Sequence, residues 1–206
     1  MYRHSAFNLD TSRATPRLIT GFGVWFLERE RGATKQEAKQ EATNTEVLPS
    51  PQMPIQIKIQ LPADRTKYGT LTLESNTQTI GPFECYGKAD NASAAAKGNP
   101  TRDPTKSFGD TPTGRYRGFV NKIVSTPAND RTYGPQPVIT LDPQSGQAKI
   151  AKENGRFGLL IHGGALNAAG RLRPTFGCVR VANDTMVKIL AAIPTTEKIE
   201  VTITAL

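Results

Sequence analysis

The seven residues "LPSPQMP" (Leu48–Pro54) hold three prolines, and the run that follows them, "IQIKIQL" (Ile55–Leu61), alternates apolar and polar at every step. Proline stops helices and cannot pair inside a sheet, so the first run marks a boundary. The second can only be a strand with one buried face, because a helix would scatter its isoleucines around the axis. This pair of features places a β-rich domain at about residues 51–206 and leaves 1–50 as an N-terminal extension. Within that extension "GATKQEAKQEATNTEV" is polar and suits a solvated helix or a linker.

Further strands follow the same texture. "TLTLES" and "TQTIGPFECYG" predict a hairpin turning at Ser75–Asn76. "TPTGRYRGFVNKI", "QPVITLD", "RFGLLIHG" and the terminal "EKIEVTITAL" predict four more strands. Residues 89–112 read as a long polar loop, a length more often tied to function than to accident. One helix is expected after residue 50, over "NDTMVKILAAI", capped by Asn183 or Asp184 and closed by Pro194. Fifteen prolines and eighteen glycines agree with short elements and many turns. The predicted class is mainly β, a sandwich or partly closed barrel with one helix near the C-terminus.

Charge and cysteine usage narrow the function. The net charge of +8 is uneven: residues 111–206 carry 12 Lys/Arg against 6 Asp/Glu, and residues 1–110 carry 14 against 12. A cationic C-terminal half favours an acidic partner. No Lys/Arg run or aromatic–basic pattern marks a nucleic-acid module, so nucleic acid is not expected. Two cysteines, Cys85 and Cys178, and two histidines, His4 and His162, lack the paired spacing of a zinc site. No metal and no cofactor is expected. The apolar run Leu18–Leu27 is too short to span a bilayer, and no small-x-small cleavage site follows it. Neither a signal peptide nor stable membrane insertion is expected.

One cysteine and one histidine fall together in "IHGGALNAAGRLRPTFGCVRV" (Ile161–Val181). His162 ends an apolar strand and is followed by Gly163 and Gly164. Cys178 follows Gly177, and Arg171, Arg173 and Arg180 stand near it; cationic neighbours would favour the thiolate. Read from the residues alone, this is either two strands and a loop that happen to hold reactive groups, or a cysteine nucleophile with a histidine base. Phosphate-loop readings fail, since no Gly-Lys-Ser/Thr follows the glycine pair. Cys85, with no histidine near it in sequence, reads as packing.

The pair "HGG" (His162–Gly164) and "TFGCVR" (Thr175–Arg180), with "TPTGRY" upstream, resembles the catalytic domain of the L,D-transpeptidase (YkuD-type) family over about residues 55–206. Phe176 stands where many members place a second histidine. The resemblance implies that Cys178 attacks a peptidoglycan tetrapeptide stem, with His162 as proton carrier and its ring oriented by the Gly163 carbonyl. It implies an oxyanion held by the Gly177 and Cys178 amides, a role for Arg180 toward the nucleophile loop or a stem carboxylate, and substrate contact at Thr175. It also implies acylation by carbapenems, and cross-linking, D-alanine exchange or L,D-carboxypeptidase activity according to the acceptor. The rivals are a sortase-like enzyme, whose Thr-x-Thr-Cys signature is missing, and a catalytically idle wall-binding module. The cell envelope or periplasm is the implied site of action. With no export signal expected, a non-classical route would suit a delivered antibacterial effector, with secretion and immunity partners to match.

Overall fold

The computed structural model describes residues 53–194 and 198–206. The extension expected over residues 1–50, including the Leu18–Leu27 run, lies outside the described residues. Among the described residues no helix is long and apolar enough to cross a membrane.

Eight strands form one mixed sheet: β1 (Ile55–Leu61), β2 (Gly69–Glu74), β3 (Thr79–Cys85), β4 (Gly114–Asn121), β5 (Val138–Pro143), β6 (Leu160–His162), β7 (Val179–Arg180) and β8 (Ile199–Ala205). Their order across the sheet is β3-β2-β1-β8-β4-β5-β6-β7. The alternating run forms the central strand β1, whose Ile55, Ile57, Ile59 and Leu61 are fully buried. On one side it pairs antiparallel with β2, on the other parallel with β8, the last strand of the chain. β8 buries Ile199, Val201 and Ile203 at the matching register positions, so the first and last strands supply adjacent rows of the same core. Pro82 is tolerated because β3 lies at the sheet edge.

The two ends of the sheet approach each other. Directly after β3, Tyr86 exchanges two backbone hydrogen bonds with Arg180 of β7, at 2.8 and 2.9 Å. Ala89 bridges to Thr175, and Asp90 N–H donates to the Thr175 carbonyl at 2.8 Å. These bonds draw the sheet into a partly closed barrel, as expected from the sequence. They also place the turn that carries Cys178 at the seam.

Among the described residues four short helices accompany the sheet, where the sequence predicts one after residue 50. The expected helix is α4 (Asn183–Ala191); α1 (Asn91–Ala96), α2 (Pro127–Tyr133) and α3 (Gln147–Glu153) are additional. The 89–112 stretch is therefore not structureless. Asp90 caps α1 by accepting from Ser93 N–H, and Asn99 and Asp103 fold the remainder into hydrogen-bonded turns. Asp110 anchors it by accepting from Ala89 N–H and Arg102 Nε.

Candidate active site

β6 and β7 are adjacent parallel strands with Ile161 opposite Val179 and His162 opposite Arg180. Neighbouring side chains along a strand point to opposite faces. Ile161 and Val179 enter the core, so His162 and Arg180 share the other face, and the residue before Val179, Cys178, falls on that face as well. All three line one cleft of about 970 Å³. The sixteen-residue separation of His162 and Cys178 in sequence is thus a parallel pairing in space.

His162 is 1% exposed, and its Nδ1 lies 2.7 Å from the Gly163 carbonyl oxygen. A carbonyl only accepts, so Nδ1 carries the hydrogen and Nε2 keeps its lone pair. Burial, followed by the positive charge of Arg180, pushes the imidazole pKa down to about 4. At neutral pH the ring is an uncharged proton acceptor. Tyr133, at the end of α2, packs edge-on against it with ring centres 5.3 Å apart.

The glycine pair after His162 is required by close approach. A Cβ on Gly163 would collide with Asn183 Oδ1. One on Gly164, whose φ is +122°, would meet Arg180 Nη1 and the Thr132 carbonyl. Asn183 does not act as the helix cap expected of it. Its Oδ1 accepts from Gly164 N–H at 2.8 Å, and α4 begins without a side-chain cap. The start of α4 is thereby tied to the histidine loop.

Cys178 is partly exposed at the cleft, and its Sγ lies 3.6 Å from the Gly158 carbonyl. Burial of the thiol raises its pKa; a hydrogen bond from the Leu160 backbone and the charges of Arg156 and Arg180 act in the opposite sense without prevailing. Arg180 favours the thiolate as expected, joined by Arg156 in place of Arg171 and Arg173, but desolvation outweighs both and the resting group is a thiol. Arg171 lies over the Tyr68 ring, 5.0 Å from its centre, and does not line the cleft. Cys85 is fully buried in the core with a pKa pushed up to about 12, consistent with packing.

Three other expectations change. Gly177 N–H donates to Thr175 Oγ1 at 2.9 Å, so this amide is not free to meet an oxyanion. The glycine, at φ +105°, makes room for Arg156 Nη2 and the Gly109 carbonyl. The Thr175 hydroxyl donates its hydrogen to the Cys178 carbonyl at 2.9 Å. It braces the turn and has no donor left for substrate. Arg180 braces the histidine loop and α2 instead of the nucleophile loop: Nη1 donates to the Ala165 carbonyl at 3.2 Å and Nη2 to the Thr132 carbonyl at 2.9 Å, and among the described residues it forms no salt bridge. Among the described residues its Nε is buried without a hydrogen-bond partner. Burial lowers its pKa to about 10, helped by the nearby charge of Arg173.

The cleft is cationic, as the charge distribution suggested. Arg131, Arg156, Arg173 and Arg180 line it against one carboxylate, Asp90, which is committed to capping α1. Among the described residues none of these four arginines forms a salt bridge, and no group of metal-ligating side chains is present. Phe108, Phe157 and Phe176 form an apolar part of the lining; Phe108 and Phe176 meet edge to face at 5.5 Å. Arg156, Tyr133 and Asn183 carry no mark in the sequence that nominates them as site residues.

No family model matches the chain, and no curated protein matches it. Solved structures do. It is similar to Bd1075 of Bdellovibrio bacteriovorus, with 18% identity, 72% of this chain and 47% of that chain covered, and a TM-score of 0.43. Pgp2, the helical cell shape determining protein of Campylobacter jejuni, gives 18%, 75%, 49% and 0.41. L,D-transpeptidase 1 of Mycobacterium tuberculosis gives 12%, 73%, 63% and 0.35. The chain spans about half the length of the first two. Overlaps this partial decide no chemistry, which rests on the residues.

Proposed function

We propose that the chain is a peptidoglycan L,D-transpeptidase that acts on tetrapeptide stems through a Cys178 thioester, with the cell envelope as its place of work. The observation that carries this reading is the placement of His162, Cys178 and Arg180 on one face of two paired strands, in a single cationic cleft. The motif resemblance supplies the substrate class, and a cleft lined by four arginines against one carboxylate suits a peptide rich in carboxylates.

The steps follow from the protonation states. A neutral His162 and a protonated Cys178 do not form a resting ion pair, so the proton moves as the bond forms. The Sγ proton passes to His162 Nε2 while sulfur attacks the carbonyl before the terminal D-alanine. The C–N bond breaks, the proton on Nε2 goes to the leaving D-alanine amine, and a thioester remains. An acceptor amine then attacks, gives its proton to His162, and the C–S bond breaks to restore the thiol. A stem amine yields a 3→3 cross-link, free D-amino acid yields exchange, and water yields a tripeptide. With the Gly177 amide committed to Thr175, the developing oxyanion falls to the Cys178 amide.

Mass spectrometry of defined tetrapeptide muropeptides incubated with the full chain tests this reading. The expected products are D-alanine together with a 3→3 dimer, a tripeptide or an exchanged stem. Unchanged muropeptides in the presence of folded protein would refute it and favour the idle wall-binding alternative. The role as a delivered effector rests on residues 1–50 and on swelling or lysis when the chain is exported into a susceptible bacterium. Normal growth with active enzyme in the periplasm would favour ordinary wall remodelling.

A further inference from the structure

Arg156 follows Gly155 just after α3, and its own N–H donates to the Ala151 carbonyl of that helix at 2.9 Å. It is 3% exposed, yet among the described residues it has no salt-bridge partner. Its fork is instead filled by three carbonyls of a single loop: Nη1 donates to Pro104 and to Asp110, the latter at 2.9 Å, and Nη2 donates to Gly109 at 2.7 Å. Asn154, two residues earlier, reaches the same loop through the Thr105 carbonyl at 3.1 Å.

The other side of the guanidinium faces the nucleophile turn. Only glycine fits at Gly177, since any Cβ would collide with Arg156 Nη2 and the Gly109 carbonyl. Thr111, at the end of the same loop, closes the contact by donating its hydroxyl hydrogen to the Gly177 carbonyl at 2.9 Å. A buried guanidinium without a carboxylate is costly, and this one is retained at the junction of three elements: the α3 end, the 104–111 loop and the Cys178 turn.

We propose that Arg156 is a positioning residue for the nucleophile: its fork locks the 104–110 loop against Gly177 and holds a fixed positive charge near the Cys178 sulfur. The first part sets the angle at which the thiol enters the cleft. The second favours the thiolate as it forms, alongside Arg180 on β7 and the neutral His162 on β6. Arg156 charge does act on the Cys178 thiol in the lowering sense. Planar, multidentate donation to carbonyls is a property of arginine that lysine does not reproduce.

This inference rests on Cys178 being the nucleophile of the proposed reaction, and its test has an arm that needs no substrate. Arg156→Met and Arg156→Lys are made in the full chain, with folding checked by circular dichroism. Alkylation of Cys178 by iodoacetamide is followed by peptide mass from pH 6 to pH 10, with buried Cys85 as the slow internal reference. Arg156→Met is expected to slow Cys178 alkylation at neutral pH by about tenfold and to move its pH midpoint upward. Arg156→Lys, which keeps the charge and loses the fork, is expected to hold the midpoint while kcat on tetrapeptide muropeptides falls about tenfold with little change in KM. A folded Arg156→Met with the wild-type alkylation profile would overturn the electrostatic part. A wild-type kcat in Arg156→Lys would overturn the locking part, and this second variant decides if the methionine variant does not fold. Failure of the wild-type chain to turn over muropeptides would refute the proposed reaction and leave the alkylation result to judge Arg156.

Discussion

Cys178→Ala is expected to lower D-alanine release from tetrapeptide stems by more than about a thousandfold while leaving the fold intact. The size of the effect follows from the chemistry. A thioester requires the sulfur, and Cys85, the other thiol in the chain, is sealed in the core with a pKa pushed up to about 12. The fold should survive because Cys178 is partly exposed and its backbone, not its side chain, is braced by Thr175. Chromatography of released D-alanine, with circular dichroism of the variant, checks both halves. Release at the wild-type rate from a folded variant would remove Cys178 from the mechanism.

The second large effect belongs to His162. Glutamine is an informative replacement because its amide can still donate to the Gly163 carbonyl while offering no titratable base. His162→Gln is expected to reduce kcat by about a hundredfold to ten-thousandfold, the usual contribution of a positioned proton carrier. The same variant separates catalysis from acid stability. In the folded protein His162 is held neutral down to a pKa of about 4, against 6.5 for the ordinary side chain. Between those values the unfolded chain binds a proton that the folded chain refuses, so stability falls as pH drops from 6.5 to 4. The full loss amounts to roughly 3 kcal/mol, since one pKa unit is worth about 1.4 kcal/mol. Urea unfolding across this range should show a shallower acid decline in His162→Gln than in the wild-type chain. Parallel declines would show that the ring is not buried in its neutral form.

The elements legible in the sequence are those whose signal is local and repeated. β1 and β8 announce themselves by alternation, and the structure buries the residues that alternation nominates, from Ile55 to Ile203. α4 is visible because its apolar positions recur over nine residues. The three additional helices have six or seven residues each, too few turns for a helical period to show. α2 does carry a start signal, with Thr126 accepting from Asn129 N–H and Pro127 opening the first turn, but nothing downstream extends it.

The site shows a similar division. His162, Cys178 and Arg180 stand in a motif whose spacing is a parallel strand pairing, so the sequence nominates them together and they lie together. Asn183 misleads because a residue at the start of a helix ordinarily caps it, whereas here a glycine amide nineteen positions away takes its oxygen. Arg156 leaves no signal at all. Its partners are backbone carbonyls some fifty positions upstream, and backbone atoms carry no residue identity to match. Thr175 and Gly177 do belong to the turn, as expected, but their polar atoms satisfy each other and the Cys178 carbonyl.

The central claim is that a Cys178 acyl-enzyme forms and that D-alanine leaves as it does. Intact-protein mass, taken from an acid-quenched mixture of the full chain and a tetrapeptide muropeptide, tests that claim most directly. The expected result is a gain equal to the donor less one D-alanine, mapped to the peptide containing Cys178 and absent from Cys178→Ala. Turnover without any covalent species in wild-type protein, or an adduct carried by Cys85, would contradict it.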